Sequence, residues 1–209
     1  MRVTHPTDTL VYVVRHGEVD AQWRERVYGC LDVPLSEHGA AEARASAAAL
    51  ATVEFDAVFT SPLARARFTA EMLAERGRVA AIAHAGLREL DRGDWAGKSF
   101  AELERESPGA LATWNRAPDR VRPPRGESLV DLQSRVLAAL RELIGAAPVR
   151  TVAVAAHGWV ARVLVCDALG LPLAAAARLR MRTGCIAAVR WSDGRPVRLL
   201  GHDLDGSIT

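Results

Sequence analysis

The chain has 209 residues, of which 49% are hydrophobic, and its 27 Lys and Arg against 25 Asp and Glu give a formal net charge of +2. This length and apolar content suffice for one well-cored domain, and no Pro/Gly/Ser-rich linker divides the chain, so we expect a single domain over residues 1–209. The near-neutral charge and the lack of a basic tail argue against nucleic acid or a membrane as partner.

Cysteine usage and the N-terminal apolar run bear on cellular location. Cys30, Cys166 and Cys185 lie far apart without metal-ligand spacing, and an odd number cannot be fully paired within one chain. The apolar run at residues 10–14 is ended by Arg15, which makes it too short for a signal peptide or a membrane span. Together these features predict a reduced, cytoplasmic protein.

Apolar segments alternate with helix-like segments along the chain. This pattern predicts an α/β fold, a three-layer α/β/α sandwich whose mostly parallel central sheet is covered on both faces. The predicted strands are residues 10–14, 55–59 and 151–155, followed by a terminal strand pair at residues 185–191 and 197–200.

Helix positions follow from capping residues and apolar spacing. Ser36 is the expected N-cap of one helix. Ser61 followed by Pro62 predicts the start of another, because Ser caps helices and Pro is tolerated at the first helical position. Apolar residues at three- and four-residue spacing predict a helix over residues 129–144, and residues 160–169 predict one more.

Polar side chains follow two of the predicted strands directly. Arg15 and His16 come after the first strand, and His157 comes after the strand at residues 151–155. In an open α/β sheet the loops at the carboxyl ends of strands form the ligand crevice, so we expect these residues in a pocket. Arg offers a fork of donors that matches phosphate oxygens, and a neutral His presents a lone pair that can attack phosphorus.

Two further charged residues are candidates for the same site. Arg65 lies near the start of the helix predicted after Ser61, at the positive end of its dipole. Glu89 belongs to a Leu-x-Glu pattern followed by Gly93 and Trp95. In isolation Arg65 would be a solvated helix residue and Glu89 a surface charge, but their positions favour a role in the site.

Residues 100–126 do not continue the alternation, and we expect them to form a lid-like insertion over the site. Arginines recur here at positions 116, 120, 122 and 125. They form either an anion-collecting rim or a solvated loop, and the sequence leaves both interpretations open. Arg116 is the candidate substrate-binding residue among them.

Five segments occur in a recognisable order. They are Arg15-His16-Gly17, residues 60–66, Leu87-Arg88-Glu89, residues 124–128 and Ala156-His157-Gly158. In this order, and over nearly the whole chain, they resemble the histidine phosphatase superfamily, the phosphoglycerate mutase-like proteins.

The resemblance implies catalysis through a phosphohistidine intermediate on His16, which splits one hard hydrolysis into two easier steps. It implies that Glu89 is the general acid for the leaving alkoxide and then the base for water. The groups expected around the phosphoryl oxygens are Arg15, Arg65, His157 and the backbone N–H of Gly158. No metal or other cofactor is expected, since the chain has no HExxH motif, no Asp-rich loop and no Walker-type lysine loop.

Two positions and the chain length depart from the family pattern. Many relatives carry Thr or Ser where this chain has Val19, which cannot donate a hydrogen bond, and Asn where it has Gln22. We expect Gln22 to replace that Asn as a phosphate or substrate contact. The chain also looks too short for the segment with which the family's mutases close over a bisphosphate, which favours a phosphatase.

The sequence therefore predicts a metal-independent phosphomonoesterase that acts on a small phosphorylated metabolite. Residues 28–36 look like those of α-ribazole phosphatase-type enzymes, although similar stretches occur in phosphatases for sugar phosphates and phosphoglycerate derivatives. The alternatives are a cofactor-dependent phosphoglycerate mutase and a non-catalytic phosphoester-binding regulator. The sequence does not decide the oligomeric state, and it is compatible with a homo-oligomer.

Overall fold

The computed structural model describes residues 8–146 and 148–202, the last of them by its backbone only, so both ends of the predicted domain lie outside the described part. Within it, one six-stranded sheet has the order β3-β2-β4-β1-β5-β6. The strands are β1 (Asp8–Arg15), β2 (Ala57–Thr60), β3 (Ala81–Ala83), β4 (Thr151–Ala156), β5 (Ile186–Ser192) and β6 (Arg195–His202).

Helices flank this sheet in chain order. They are α1 (Glu37–Ala49), α2 (Ala64–Gly77), α3 (Phe100–Glu106), α4 (Ala110–Arg116), α5 (Leu129–Gly145) and α6 (Gly158–Ala168). Short 3₁₀ helices span Ala21–Trp23, Ala85–Leu87, Gly93–Trp95 and Leu173–Arg178. In the described residues, no helix is long and apolar enough to cross a membrane.

Alternation along β1 shows how the two faces of the sheet are covered. Val11 and Val13 belong to the apolar cluster beneath α5 and α6, whereas Tyr12 and Val14 belong to the cluster beneath α1 and α2. Strands β1 to β4 are mutually parallel. Strand β5 is antiparallel to its neighbour β1, and β6 is antiparallel to β5. The predicted α/β class and mostly parallel sheet are confirmed.

Capping residues predicted the start of one helix correctly and the start of another incorrectly. Ser36 caps α1 by accepting a hydrogen bond from the N–H of Gly39 at 3.0 Å, as predicted. The prediction of a cap at Ser61 was wrong. Helix α2 begins at Ala64, and Leu63 at its N-cap position makes no side-chain capping hydrogen bond. The Ser61 hydroxyl instead accepts from the N–H of Leu63 at 3.3 Å, which makes a turn ahead of the helix.

Other differences concern strand ends and the insertion. The predicted strand at residues 55–59 lies at Ala57–Thr60, because Asp56 turns the chain by accepting from the backbone of Arg150 and Thr151. Residues 100–126, predicted as a lid-like insertion, contain α3 and α4. The terminal strand pair turns at Asp193 and Gly194, whose φ values of 51° and 76° suit a two-residue hairpin turn.

The register of β1 on β4 positions the site. Arg15 pairs with Ala156, and the N–H of His16 donates to the carbonyl of Ala156 at 3.0 Å. Because the two strands are parallel neighbours, the residues that follow them emerge at the same sheet edge.

Candidate active site

Two buried histidines lie side by side at this edge. His16 follows β1 and is 1% exposed, and His157 follows β4 and is fully buried. Their ring centroids are 5.2 Å apart, in an edge-to-face arrangement. The paired strands thus bring together two imidazoles that are far apart in the sequence.

Hydrogen bonds set the protonation of His16. Its Nδ1 lies 2.7 Å from the carbonyl oxygen of Gly17, and since a carbonyl only accepts, Nδ1 carries the proton of the neutral ring. The Nε2 lone pair accepts from the Nε of Arg65 at 3.2 Å. Burial, followed by the charges of Arg65 and Arg15, holds the pKa of His16 well below its usual value. The ring is therefore neutral at neutral pH, with its lone pair on Nε2.

Backbone carbonyls hold the guanidinium of Arg65 in place. Arg65 is in the first turn of α2 and is 1% exposed. Its Nη1 donates to the carbonyl of Leu31 and its Nη2 to that of Gly29, both at 2.7 Å. Two carbonyls from the loop before α1 therefore fix this cation against His16.

Arg15 and the start of α6 converge beside the histidines. The Nη1 of Arg15 donates to the carbonyl of Met181. A Cβ atom on Gly158, the first residue of α6, would lie 3.3 Å from the Nε of Arg15. Glycine therefore leaves room for a ligand between the guanidinium and the helix N-terminus, where backbone N–H groups and the helix dipole favour anions.

Several buried nitrogens here are available to a ligand. Among the described residues, the Nε of Arg15 and both ring nitrogens of His157 have no hydrogen-bond partner. Burial, followed by the charge of Arg65 and the proximity of His16, holds the pKa of His157 well below its usual value. A neutral His157 retains one N–H donor for a bound anion.

Glu89 supplies the carboxylate of the site. It is 7% exposed, and its Oε1 accepts from the N–H of Leu90 at 2.8 Å. Its Oε2 accepts from the N–H of Trp159 at 3.3 Å, which places the carboxylate at the N-terminus of α6.

A cavity of about 230 Å³ opens beside these residues. Its charged lining residues are Arg15, Arg26, Arg92, Arg162 and Glu89, four cations against one anion. Phe100 of α3 and Leu111 and Asn115 of α4 form part of its wall. The electrostatics of this cavity favour an anionic ligand.

The structure separates the predicted site residues into two groups. His16, Arg15, Arg65, Glu89, His157 and Gly158 lie together. Gln22 is exposed in the 3₁₀ helix Ala21–Trp23 and does not line the cavity. Arg116 ends α4, is exposed and does not line it either, although its neighbour Asn115 does.

The other predicted rim arginines form exposed ion pairs. Arg120 contacts Asp119, Arg122 contacts Asp131 and Arg125 contacts Asp94. Their side chains are 56% exposed or more, which matches the solvated-loop interpretation. In the part of the chain described here, no group of three or more His, Cys, Asp and Glu side chains could hold a metal ion.

Sequence reasoning missed three arginines of the cavity wall, Arg26, Arg92 and Arg162. Arg162 lies over the ring of Trp159 at 4.6 Å, and Arg92 lies over the ring of Trp114 at 3.8 Å. Burial lowers the pKa of Arg92 to about 10, so the guanidinium stays charged at neutral pH. Arg162 stands four residues after Gly158 and thus on the same helix face, a spacing that could have identified it. Arg92 has no such local signal.

The chain is similar to known proteins. The family described as histidine phosphatase superfamily (branch 1) matches residues 11–203. A probable phosphoglycerate mutase of Klebsiella pneumoniae is 36% identical over 184 residues, covering 86% of this chain and 83% of that protein. The glucosyl-3-phosphoglycerate phosphatase of Mycobacterium tuberculosis is 34% identical over 170 residues, covering 78% of this chain and 76% of that protein.

Solved structures give the same result. A mycobacterial glucosyl-3-phosphoglycerate phosphatase superimposes with a TM-score of 0.83 at 31% identity, covering 94% of this chain and 98% of that one. The α-ribazole phosphatase of Shigella flexneri superimposes with a TM-score of 0.82 at 23% identity, covering 94% and 97%, and shares the fold.

The family match and the relatives named as phosphatases show a phosphatase-type enzyme, as the sequence predicted. The chain belongs to the histidine phosphatase superfamily.

Proposed function

We propose that this protein hydrolyses a small phosphorylated metabolite through a phosphohistidine intermediate on His16. The observation that carries the proposal is a buried, neutral His16 whose Nε2 lone pair faces Arg65, next to a cavity that is lined by Arg15 and Glu89 and favours an anion. A phosphomonoester bound by Arg15, Arg65, His157 and the Gly158 N–H would present its phosphorus to Nε2. Charge-assisted hydrogen bonds of this kind contribute about 1.5–3 kcal/mol each.

The reaction has two steps. In the first, Nε2 of His16 forms a bond to phosphorus while the ester P–O bond breaks, and Glu89, which takes up a proton from the bound phosphomonoester monoanion, gives that proton to the departing alkoxide. In the second, Glu89 takes a proton from water as the water oxygen attacks phosphorus. The N–P bond breaks, inorganic phosphate leaves, and His16 returns to its neutral form with the proton still on Nδ1.

This chemistry places the charge stabilisation on arginines and the α6 N-terminus. We therefore expect turnover to proceed in the presence of a chelator. A panel of phosphomonoesters assayed with and without EDTA tests this expectation, and activity that disappears with EDTA and returns with a divalent cation would contradict it.

The intermediate itself can be trapped. Rapid base quench of enzyme mixed with radiolabelled substrate is expected to leave label on a nitrogen bond that is stable to base and labile to acid. His16→Ala is expected to abolish both the label and turnover. His38→Ala, at an exposed position on α1, is the matched control and is expected to retain both. Label on Ser or Asp would refute the assignment.

A phosphoglycerate mutase is the second candidate, and the similarity to the Klebsiella protein of that name favours it. The two reactions share the phosphohistidine and differ in the acceptor, which is water for a phosphatase and a second hydroxyl for a mutase.

A further inference from the structure

Arg92 is held in the cavity wall by aromatic rings. It precedes the 3₁₀ helix Gly93–Trp95, and its guanidinium lies 3.8 Å from the ring centroid of Trp114 and 5.6 Å from that of Trp159. Its Nη1 is buried and, among the described residues, has no hydrogen-bond partner. Stacking on aromatic faces uses the plane of a guanidinium and leaves its N–H edge free for an oxygen ligand.

Two of the cavity's cations lie at the start of α6, where the phosphoryl group is expected to bind. At the phosphoryl end, a Cβ on Gly158 would lie 3.3 Å from the Nε of Arg15 and 3.6 Å from the Nη1 of Arg162, so both cations flank the α6 N-terminus. A phosphomonoester brings a charge of about −1.5 to −2 to this end.

The remaining lining cations differ in whether they are paired. Arg26 contacts Glu102 at 3.4 Å and donates to the carbonyl of Gly97 at 2.8 Å. Arg92 forms no ion pair within the described residues. Glu89, the carboxylate of the cavity, directs its two oxygens at the N–H groups of Leu90 and Trp159 instead. When a phosphoryl group is bound beside Arg15 and Arg162, Arg92 is therefore a desolvated cation without an ion-pair partner among the described residues.

We propose that Arg92 binds a second anionic group of the substrate, a carboxylate or a further phosphate, away from the ester that is cleaved. This inference rests on the proposed function and adds a substrate class to it. The planar fork of Arg92 matches either group with two parallel hydrogen bonds, and its aromatic supports hold it ready, so little conformational freedom is lost on binding. Arg92 thus selects phosphate esters that carry a second negative charge.

Matched esters test the selection. 3-Phosphoglycerate and glycerol 3-phosphate differ only in a carboxylate against a hydroxymethyl group, and propane-1,3-diol bisphosphate against 3-hydroxypropyl phosphate is the matched pair for a second phosphate. The measured quantity is the ratio of kcat/KM between the members of each pair. Whichever pair shows the larger ratio in the wild-type enzyme identifies the anion.

Variants test whether Arg92 causes the difference in kcat/KM between the two esters. Arg92→Gln is expected to lower the ratio about 10- to 100-fold, mainly through KM, as loss of a charge-assisted hydrogen bond implies. Arg92→Lys is expected to keep part of it, since the charge remains. Arg105→Gln, an exposed charge on α3, is expected to keep the wild-type ratio. A kcat/KM ratio near one for both pairs in the wild-type enzyme would overturn the proposal. The same holds if Arg92→Gln and Arg92→Lys each lower kcat/KM equally for both members of a pair, which would leave Arg92 as a packing residue.

A binding experiment separates this inference from the proposed chemistry. Calorimetry on the His16→Ala protein measures the affinity for the same esters without turnover. Tighter binding of the acidic ester, lost in the His16→Ala/Arg92→Gln double variant, supports the anion subsite whatever the nucleophile is. Equal affinities for both esters overturn the subsite, whereas a wild-type enzyme that cleaves no phosphomonoester overturns the proposed function.

Discussion

The burial of His16 and His157 makes the stability of the folded protein depend on pH. Both side chains titrate well below 6.5 in the folded protein, with burial as the largest cause, whereas in the unfolded chain they titrate near that value. The unfolded state thus binds protons that the folded state excludes. Stability is fully present above the unfolded pKa and is lost as the pH falls below it.

We expect the free energy of unfolding to decrease from pH 7.5 to 5.5, with a slope below pH 6.5 that approaches about 1.4 kcal/mol per pH unit for each histidine. Urea unfolding at several pH values measures this slope. His157→Gln should reduce it relative to His38→Gln, which changes an exposed residue. A slope that is the same in both variants would contradict the assignment.

Glu89 is expected to act on the leaving group. Glu89→Gln should slow alkyl phosphate hydrolysis by about 10²- to 10⁴-fold but affect p-nitrophenyl phosphate far less, because nitrophenolate departs without a proton. Glu71→Gln, on the exposed side of α2, is the control. Comparable losses on both substrates would instead assign Glu89 to binding or structure.

At the scale of elements, the loop that carries His16 packs directly on the start of α1. A Cβ on Gly17 would lie 1.9 Å from the carbonyl oxygen of Gly39, and one on Gly39 would lie 2.0 Å from that of Glu18. Both contacts are with backbone, which cannot rotate away as a side chain can. The position of His16 therefore depends on two adjacent backbones that no side chain separates.

Gly17→Ala is accordingly expected to destabilise the protein by about 1–3 kcal/mol, as overpacking does, and to reduce kcat by displacing His16. Gly145→Ala is the matched control, because a Cβ at this position in α5 would meet nothing within 4 Å. Denaturant unfolding and kcat measured on both proteins provide the test. Unchanged stability of Gly17→Ala would show that the loop can shift at little cost.

These contacts explain what the sequence could and could not predict. Strand β1 and the residues after it follow from an apolar run ended by a charge, and both histidines were found because each follows a strand. Arg116 illustrates the limit: one helical residue corresponds to about 100° of rotation, and α4 turns Asn115 toward the cavity and Arg116 toward solvent. The packing of Trp114 in the core contributes to that rotation, and this contact is not encoded locally.

Arg92 shows the same limit at longer range. It is a loop residue whose partners, Trp114 and Trp159, belong to different helices. Trp114 is fully buried, whereas Trp159 lines the cavity. A role that arises from two distant aromatic residues cannot be predicted from the neighbours of Arg92 in the chain.

At the scale of the whole molecule, the segment over the cavity separates the two candidate reactions. A mutase must keep the phosphohistidine away from water while the acceptor hydroxyl is positioned. Here that segment provides two helices of seven residues each, α3 and α4. We expect release of inorganic phosphate from 3-phosphoglycerate or another small phosphomonoester, without stimulation by 2,3-bisphosphoglycerate. Bisphosphate-dependent interconversion of 2- and 3-phosphoglycerate that outpaces phosphate release would establish the mutase.

The pairing of β1 with β4 has a consequence for biosynthesis. Strand β1 is the first strand described, but its parallel neighbour β4 begins at Thr151 and its antiparallel neighbour β5 at Ile186. A ribosome therefore exposes His16 long before the chain that buries it has been made, and contacts of such sequence separation form slowly. In the nascent protein His16 stays exposed and unsupported until the residues through Ser192 have left the exit tunnel.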